Sequence, residues 1–174
     1  MPAKTWQEIQ REDERQVFMS FVYPLIGLCG LVVLVGSLFE FGWSGPQSFQ
    51  RAMVACCVVA VAQFGGYFLA SYAIHRMGQR WYVLPVTPTK VQQFAGYALA
   101  APFLLEILSG AFPTLEIITW PLRLYTVYVV WEGAPILMGV TEQQRLSYTL
   151  WTSALLLMCP TLIDIAFTRL MVMF

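Results

Sequence analysis

Five apolar runs, each long enough to carry a helix across a hydrocarbon core of about 30 Å, make up most of this chain. They fall at about 17–39, 51–74, 91–112, 117–138 and 147–173, with short segments between them. In lipid every backbone N–H and C=O must be satisfied within protein, so each run is read as a helix. The expected fold is an all-α integral membrane protein, a compact bundle of five transmembrane helices. Composition agrees: 58% of the 174 residues are hydrophobic and only 11% are charged, against about 25% charged in an average soluble domain. The first run is too long for a signal-peptide core and lacks a small-x-small exit, so it is expected to stay as a helix.

Charge placement orients the bundle. Lys4, Arg11 and Arg15 precede the first run, Arg76, Arg80 and Lys90 lie between the second and third, and Arg145 lies between the fourth and fifth. The opposite loops hold little positive charge, so the N-terminus is expected in the cytoplasm and the C-terminus outside. Residues 1–16 then form a cytoplasmic N-terminal tail and 17–174 a five-helix membrane domain. In the tail, Thr5 and Glu8 stand at capping-box spacing, and Trp6, Ile9 and Val17 fit one face of an interfacial helix. Glu12, Asp13 and Glu14 disfavour an anionic surface and support the other reading, a solvated tail. The loop 75–90 carries Trp81, Tyr82, Pro85 and Pro88, a mixture suited to a membrane-water boundary.

Several functions are disfavoured by what the chain lacks. Formal net charge is zero and no basic stripe is present, which excludes nucleic acid as a partner. Cys29, Cys56, Cys57 and Cys159 lie within apolar runs without CxxC spacing and read as packing residues. The single histidine, His75, is expected near the headgroups, and neither a metal nor a cofactor is expected. No GxSxG, HExxH or phosphate-binding glycine loop occurs, so the chain is not read as an enzyme. Small residues four apart (Gly66 with Ala70, Gly96 with Ala100, and Ala52 with Cys56 and Ala60) let helices approach closely.

Ionisable groups inside the runs mark the candidate site, because a charge at the centre of a membrane helix costs about 2.5 to 3.5 kcal/mol on the insertion scale. Two acids repeat one local pattern: Pro102-Phe-Leu-Leu-Glu106-Ile107 and Pro160-Thr-Leu-Ile-Asp164-Ile165. Each proline is expected to kink its helix and release a carbonyl one turn back, on Ala98 and Leu156. The third and fourth runs are joined so tightly that they must be antiparallel neighbours. Glu106 lies six residues before the end of one and Arg123 six after the start of the other, each about 9 Å deep at 1.5 Å per residue. An outer-half cluster of Glu106, Arg123 and Asp164 is therefore expected, serving either chemistry or the register of the bundle. In the fourth run, Tyr125, Tyr128 and Glu132 share a face. Glu132 is too far from Arg123 to pair with it. It must carry its proton or be satisfied by a tyrosine hydroxyl, water or a base reaching up from the cytoplasmic side.

From about Pro102 to Leu150, the order Tyr125-x-x-Tyr128, Glu132-Gly133-x-Pro135 and the turn Thr141-Glu142-Gln143-Gln144-Arg145 resembles the Ypt-interacting-protein (YIP) domain family. The resemblance implies five spans, a cytoplasmic N-terminus and a short exposed C-terminus. Eukaryotic members are implicated in vesicle traffic, interaction with small prenylated GTPases and shaping of early secretory membranes. This chain has only about sixteen residues before its first span and Thr141 where proline is frequent. It is similar to a short prokaryotic-type member, for which a GTPase partner is not assumed and the bacterial cytoplasmic (inner) membrane is the expected location. Two functions stay open: a scaffold or binding partner acting on membrane lipid, other membrane proteins or its own copies, and a small transporter or channel component passing protons or cations along the buried carboxylates.

Overall fold

The computed structural model describes residues 6, 9, 18–41 and 45–173, and among them it is helical apart from short connections, with no strand. A π-helical turn, Phe18–Val22, leads into α1, Tyr23–Phe41. The long α2, Pro46–Trp81, follows, then α3, Pro88–Ala98, and α4, Ala100–Ala111. A 3-10 turn, Pro113–Leu115, connects to the short α5, Glu116–Leu122, after which come α6, Tyr125–Leu137, and α7, Glu142–Met173. Both α2 and α3 start on a proline, whose missing N–H costs nothing in a first turn. Thr87 also caps α3, its hydroxyl accepting the Lys90 N–H at 3.4 Å.

This architecture differs from five uniform spans. Three helices are long and apolar enough to cross a membrane: the stretch Ser20–Phe39, all of α2, and Glu142–Leu170 of α7. The third run makes a fourth crossing only as a bent pair, with α3 and α4 meeting at 40°. The break falls at Leu99, three residues before Pro102, whose ring crowds the carbonyl of Ala98 and offers it no N–H. The fourth run is not one helix. Pro121 sits near the end of the seven-residue α5, and at Arg123 and Leu124 the backbone tightens to i to i+3 bonds, Leu124 N–H to Pro121 C=O at 3.1 Å and Thr126 N–H to Arg123 C=O at 3.1 Å. The thirteen residues of α6 reach only about 20 Å, short of the hydrocarbon core.

Helix ends differ from the apolar limits for a related reason. α2 continues past the apolar run through His75, Arg76, Gln79 and Arg80 to Trp81, leaving a connection of only 82–87. The turn expected at 141–145 is mostly helix, since Glu142 to Arg145 form the first turn of α7. Hydropathy marks where lipid ends, whereas a helix continues as long as its residues tolerate the conformation.

Close approaches at glycine pack the elements. α2 lies against α1, where a β-carbon on Gly30 would touch Cys56 Sγ at 3.4 Å, and against α7, where one on Gly66 would collide with Pro160. Tyr67, Phe94, Phe103 and Tyr148 are fully buried between the helices. Facing outward are Leu31, Phe68, Leu69, Leu150, Leu162 and other large apolar side chains, a surface far more apolar than soluble monomers expose. The four cysteines are free; Cys29 and Cys159 are buried and Cys57 is exposed on the outer face. His75 is in α2, about two turns before its end, with Nδ1 buried and lacking a hydrogen-bond partner.

The tail is corrected at the two positions described. Trp6 is 3% exposed and Ile9 6%, so neither is solvated nor at a lipid surface. The Trp6 ring packs against Phe94 at 5.5 Å and Tyr97 at 6.2 Å, and Gln93 Nε2 donates to the Ile9 carbonyl at 2.9 Å. Burying the indole and giving the Ile9 carbonyl a donor are what hold these two residues in the core. Thr5, Glu8 and Val17 lie outside the described residues.

Candidate functional site

Buried charges pair at two levels of the bundle. At the first, the broken fourth run brings Arg123 to a corner between α5 and α6, from which Nη2 reaches Glu106 Oε2 on α4 at 2.6 Å. Both side chains are largely covered, 31% and 19% exposed, so the pair is short, charge-assisted and shielded from water. The bend at Leu99 and the break at Arg123 are what aim the two groups at one another, and both follow from nearby prolines.

Asp164, on α7, does not complete an ion pair with Arg123. It instead lines a cavity of about 170 Å³ together with Glu106, Arg123, Gln63, Pro160 and Thr161. A second cavity of about 380 Å³ shares Glu106, Arg123, Gln63, Pro160 and Thr161 and extends between apolar walls that include Leu156 and Leu162. The three expected members are thus in one place, but as a pair and a separate carboxylate. α7 runs unbroken through Pro160, and Thr161 Oγ1 donates to the Leu157 carbonyl at 2.8 Å beside it. The carbonyl that this hydroxyl takes is one position beyond that of Leu156, which is the one Pro160 deprives of its N–H.

At the second level, Glu132 finds a base that is on another helix. Arg145, in the first turn of α7, places Nη2 3.6 Å from Glu132 Oε1 and Nη1 3.2 Å from Glu142 Oε1. Its Nε donates to the Trp131 carbonyl at 3.1 Å and its guanidinium lies 4.4 Å above the Trp131 ring. That carbonyl is the one an N–H at position 135 would have taken, and position 135 is proline. Arg145 therefore replaces the missing donor while neutralising Glu132, from the end of the bundle where Arg76, Arg80 and Lys90 also sit. The short link between α6 and α7 makes this reach possible: Gly139 adopts φ +68°, which ends α6 sharply.

The rest of the expected polar face is not convergent. Tyr125 and Tyr128 pack with tilted rings 5.7 Å apart on the outer surface, 53% and 46% exposed, while Glu132 turns inward to Arg145. Gly133 faces the core, where a β-carbon would lie 2.7 Å from the Trp6 ring and 2.9 Å from Phe94. The sequence reading missed three participants: Arg145, Gln63 and Trp6. Signals existed for the first two, since Pro135 announces an unmatched carbonyl and Gln63 is a polar residue within an apolar run. Among the described residues no group of three or more His, Cys, Asp or Glu side chains is placed to hold a metal.

Apolar outer faces, long helices and internally paired charges define a helical membrane protein. The Yip1 domain family matches residues 1–163, nearly the whole chain, and the protein belongs to that family. This family consists of membrane proteins not known for enzymatic activity. The chain matches no curated protein and no solved structure.

Proposed function

We propose that the protein is a non-enzymatic scaffold in the bacterial inner membrane, binding other membrane proteins or organising lipid, with its N-terminus in the cytoplasm and its C-terminus outside. Five passes remain the reading of its topology, with the third bent and the fourth broken. The observation that carries the functional reading is the pairing of the buried charges: Glu106 with Arg123, and Glu132 with Arg145. Groups engaged in this way fix the arrangement of helices. The two centres are nine residues apart along the fourth run, about 13 Å, with Tyr125 and Tyr128 facing outward between them, which favours a scaffold over a continuous carboxylate route. Membership of the Yip1 family supports the same reading.

Flux of protons and monovalent cations in proteoliposomes tests it. The parent protein is expected to be silent, as are Glu106→Gln and Glu132→Gln. Flux by a well-inserted parent that these variants abolish would replace the scaffold with a transporter. Reporter fusions at each terminus test the topology separately, and equal cytoplasmic signals would sink five passes.

A further inference from the structure

The two cavities meeting at Arg123 have complementary linings. The larger is walled by Leu156, Leu157, Leu162 and Ile165, and the last two are 55% and 50% exposed on the outer face of α7, so the slot borders the lipid-facing surface. The smaller is polar, with Asp164 and Gln63 in its wall. Arg123 uses Nη2 for Glu106, but its Nε is buried without an acceptor. A buried N–H without an acceptor is costly even on a part-exposed guanidinium, and it points to an acceptor that belongs there. Glu106 takes the short contact with the guanidinium, while Asp164 lines the same small cavity and feels the charge of Arg123 without an ion-pair contact within 4 Å.

An apolar slot that ends in an unmatched guanidinium N–H and a carboxyl group outside the ion pair matches an amphiphile with an anionic and a cationic group in its head. We propose that this cavity binds a phospholipid with a primary-amine head: phosphate on the Nε edge of Arg123, ammonium on Asp164, and an acyl chain along Leu162 and Ile165. The unmatched Nε–H suits phosphate as a charge-assisted donor, beside the Nη2 that Glu106 already holds. A glycerol head offers hydroxyls but no cation, so the phosphate charge beside Asp164 stays uncompensated, and a trimethylammonium head brings charge but no N–H to donate. The inference rests on the membrane-spanning reading above and gives the scaffold a specific lipid.

Native mass spectrometry of the purified full chain, offered equal amounts of phosphatidylethanolamine, phosphatidylglycerol and phosphatidylcholine, tests the site. Phosphatidylethanolamine is expected to be retained about tenfold over either competitor, the factor that one charge-assisted hydrogen bond supplies. Asp164→Asn, which spares the Glu106–Arg123 pair, is expected to remove that preference. Should that variant fold poorly, Leu162→Trp fills the slot from its exposed side without touching a charge and is expected to lose the lipid at unchanged melting temperature. Equal retention of the three lipids, preference for phosphatidylglycerol, or a preference that survives both substitutions overturns the proposal. Free phosphoethanolamine binding as tightly as the lipid also overturns it, by showing a soluble phosphate ligand. Failure of the membrane reading is separately visible, as release of the protein from membranes by alkaline carbonate.

Discussion

Trp6 occupies the space above Gly133: its ring lies 2.7 Å from where a β-carbon on that glycine would be. The Glu132-Gly133-x-Pro135 segment thereby acquires a physical meaning residue by residue. The acid engages Arg145, the glycine admits an indole from the other end of the chain, and the proline frees the carbonyl that Arg145 takes.

Substituting Gly133→Ala is therefore expected to cost about 1 to 3 kcal/mol by overpacking, and to loosen Trp6. Trp6→Ala leaves a cavity and is expected to cost about 3 to 5 kcal/mol. The two effects are expected to be less than additive, because each disturbs the same contact. Thermal unfolding in detergent of both single variants and the double variant measures this; full additivity would show that the contact is not formed.

The Glu106–Arg123 pair is expected to behave as a unit. Replacing either partner alone leaves a largely covered charge unmatched, at a cost of about 1 to 3 kcal/mol after allowing for the partial exposure of both side chains. The exchanged protein, Glu106→Arg with Arg123→Glu, is expected to recover part of that loss. A melting temperature no higher than those of the single variants would refute the pairing.

Pro135→Ala restores an N–H that can bond to the Trp131 carbonyl within α6. Arg145→Ala is expected to cost about 2 kcal/mol in the parent, through its bond to that carbonyl, its stacking on Trp131 and its pairing with Glu132. In the Pro135→Ala background the cost is expected to fall by about 1 kcal/mol, the share of the backbone bond. A double-mutant cycle of unfolding free energies supplies the number, and zero coupling would mean that Arg145 does not substitute for the missing donor.

Val83 holds φ +52° in the loop after α2 while 81% exposed, so a β-branched residue there bears left-handed strain without packing in return. Val83→Asn is expected to stabilise the protein by about 1 kcal/mol. At Gly139, also left-handed, Gly139→Ala is expected to destabilise by a similar amount. Paired melting curves check the opposite signs.

Depth arithmetic along two tightly linked runs brought Glu106 and Arg123 to one level, and the structure places them in contact. It did not foresee how, since the geometry depends on a bend before Pro102 and a break after Pro121 that apolar periodicity does not register. Glu132 was legible as an acid in need of a partner; its partner was not, because Arg145 reaches it only after the chain reverses at Gly139. Asp164 was expected to join Glu106 and Arg123 in one cluster; it borders the same cavity without bonding Arg123, since facing α7 toward Arg123 does not fix the side-chain distance.

By itself the sequence determined that this protein is helical, apolar on its outer faces and a member of the Yip1 family, because hydrophobic length and local motifs are properties of contiguous residues. It also located the costly charges, because a charged residue in an apolar run is conspicuous wherever the run folds. Only the tertiary structure decided that Trp6 belongs to the core, that Arg145 serves Trp131 and Glu132, and that Asp164 borders a cavity in place of joining the pair. Those outcomes depend on which surfaces meet across long separations in the chain, and each is settled by packing volume and by the need of every buried polar group for a partner.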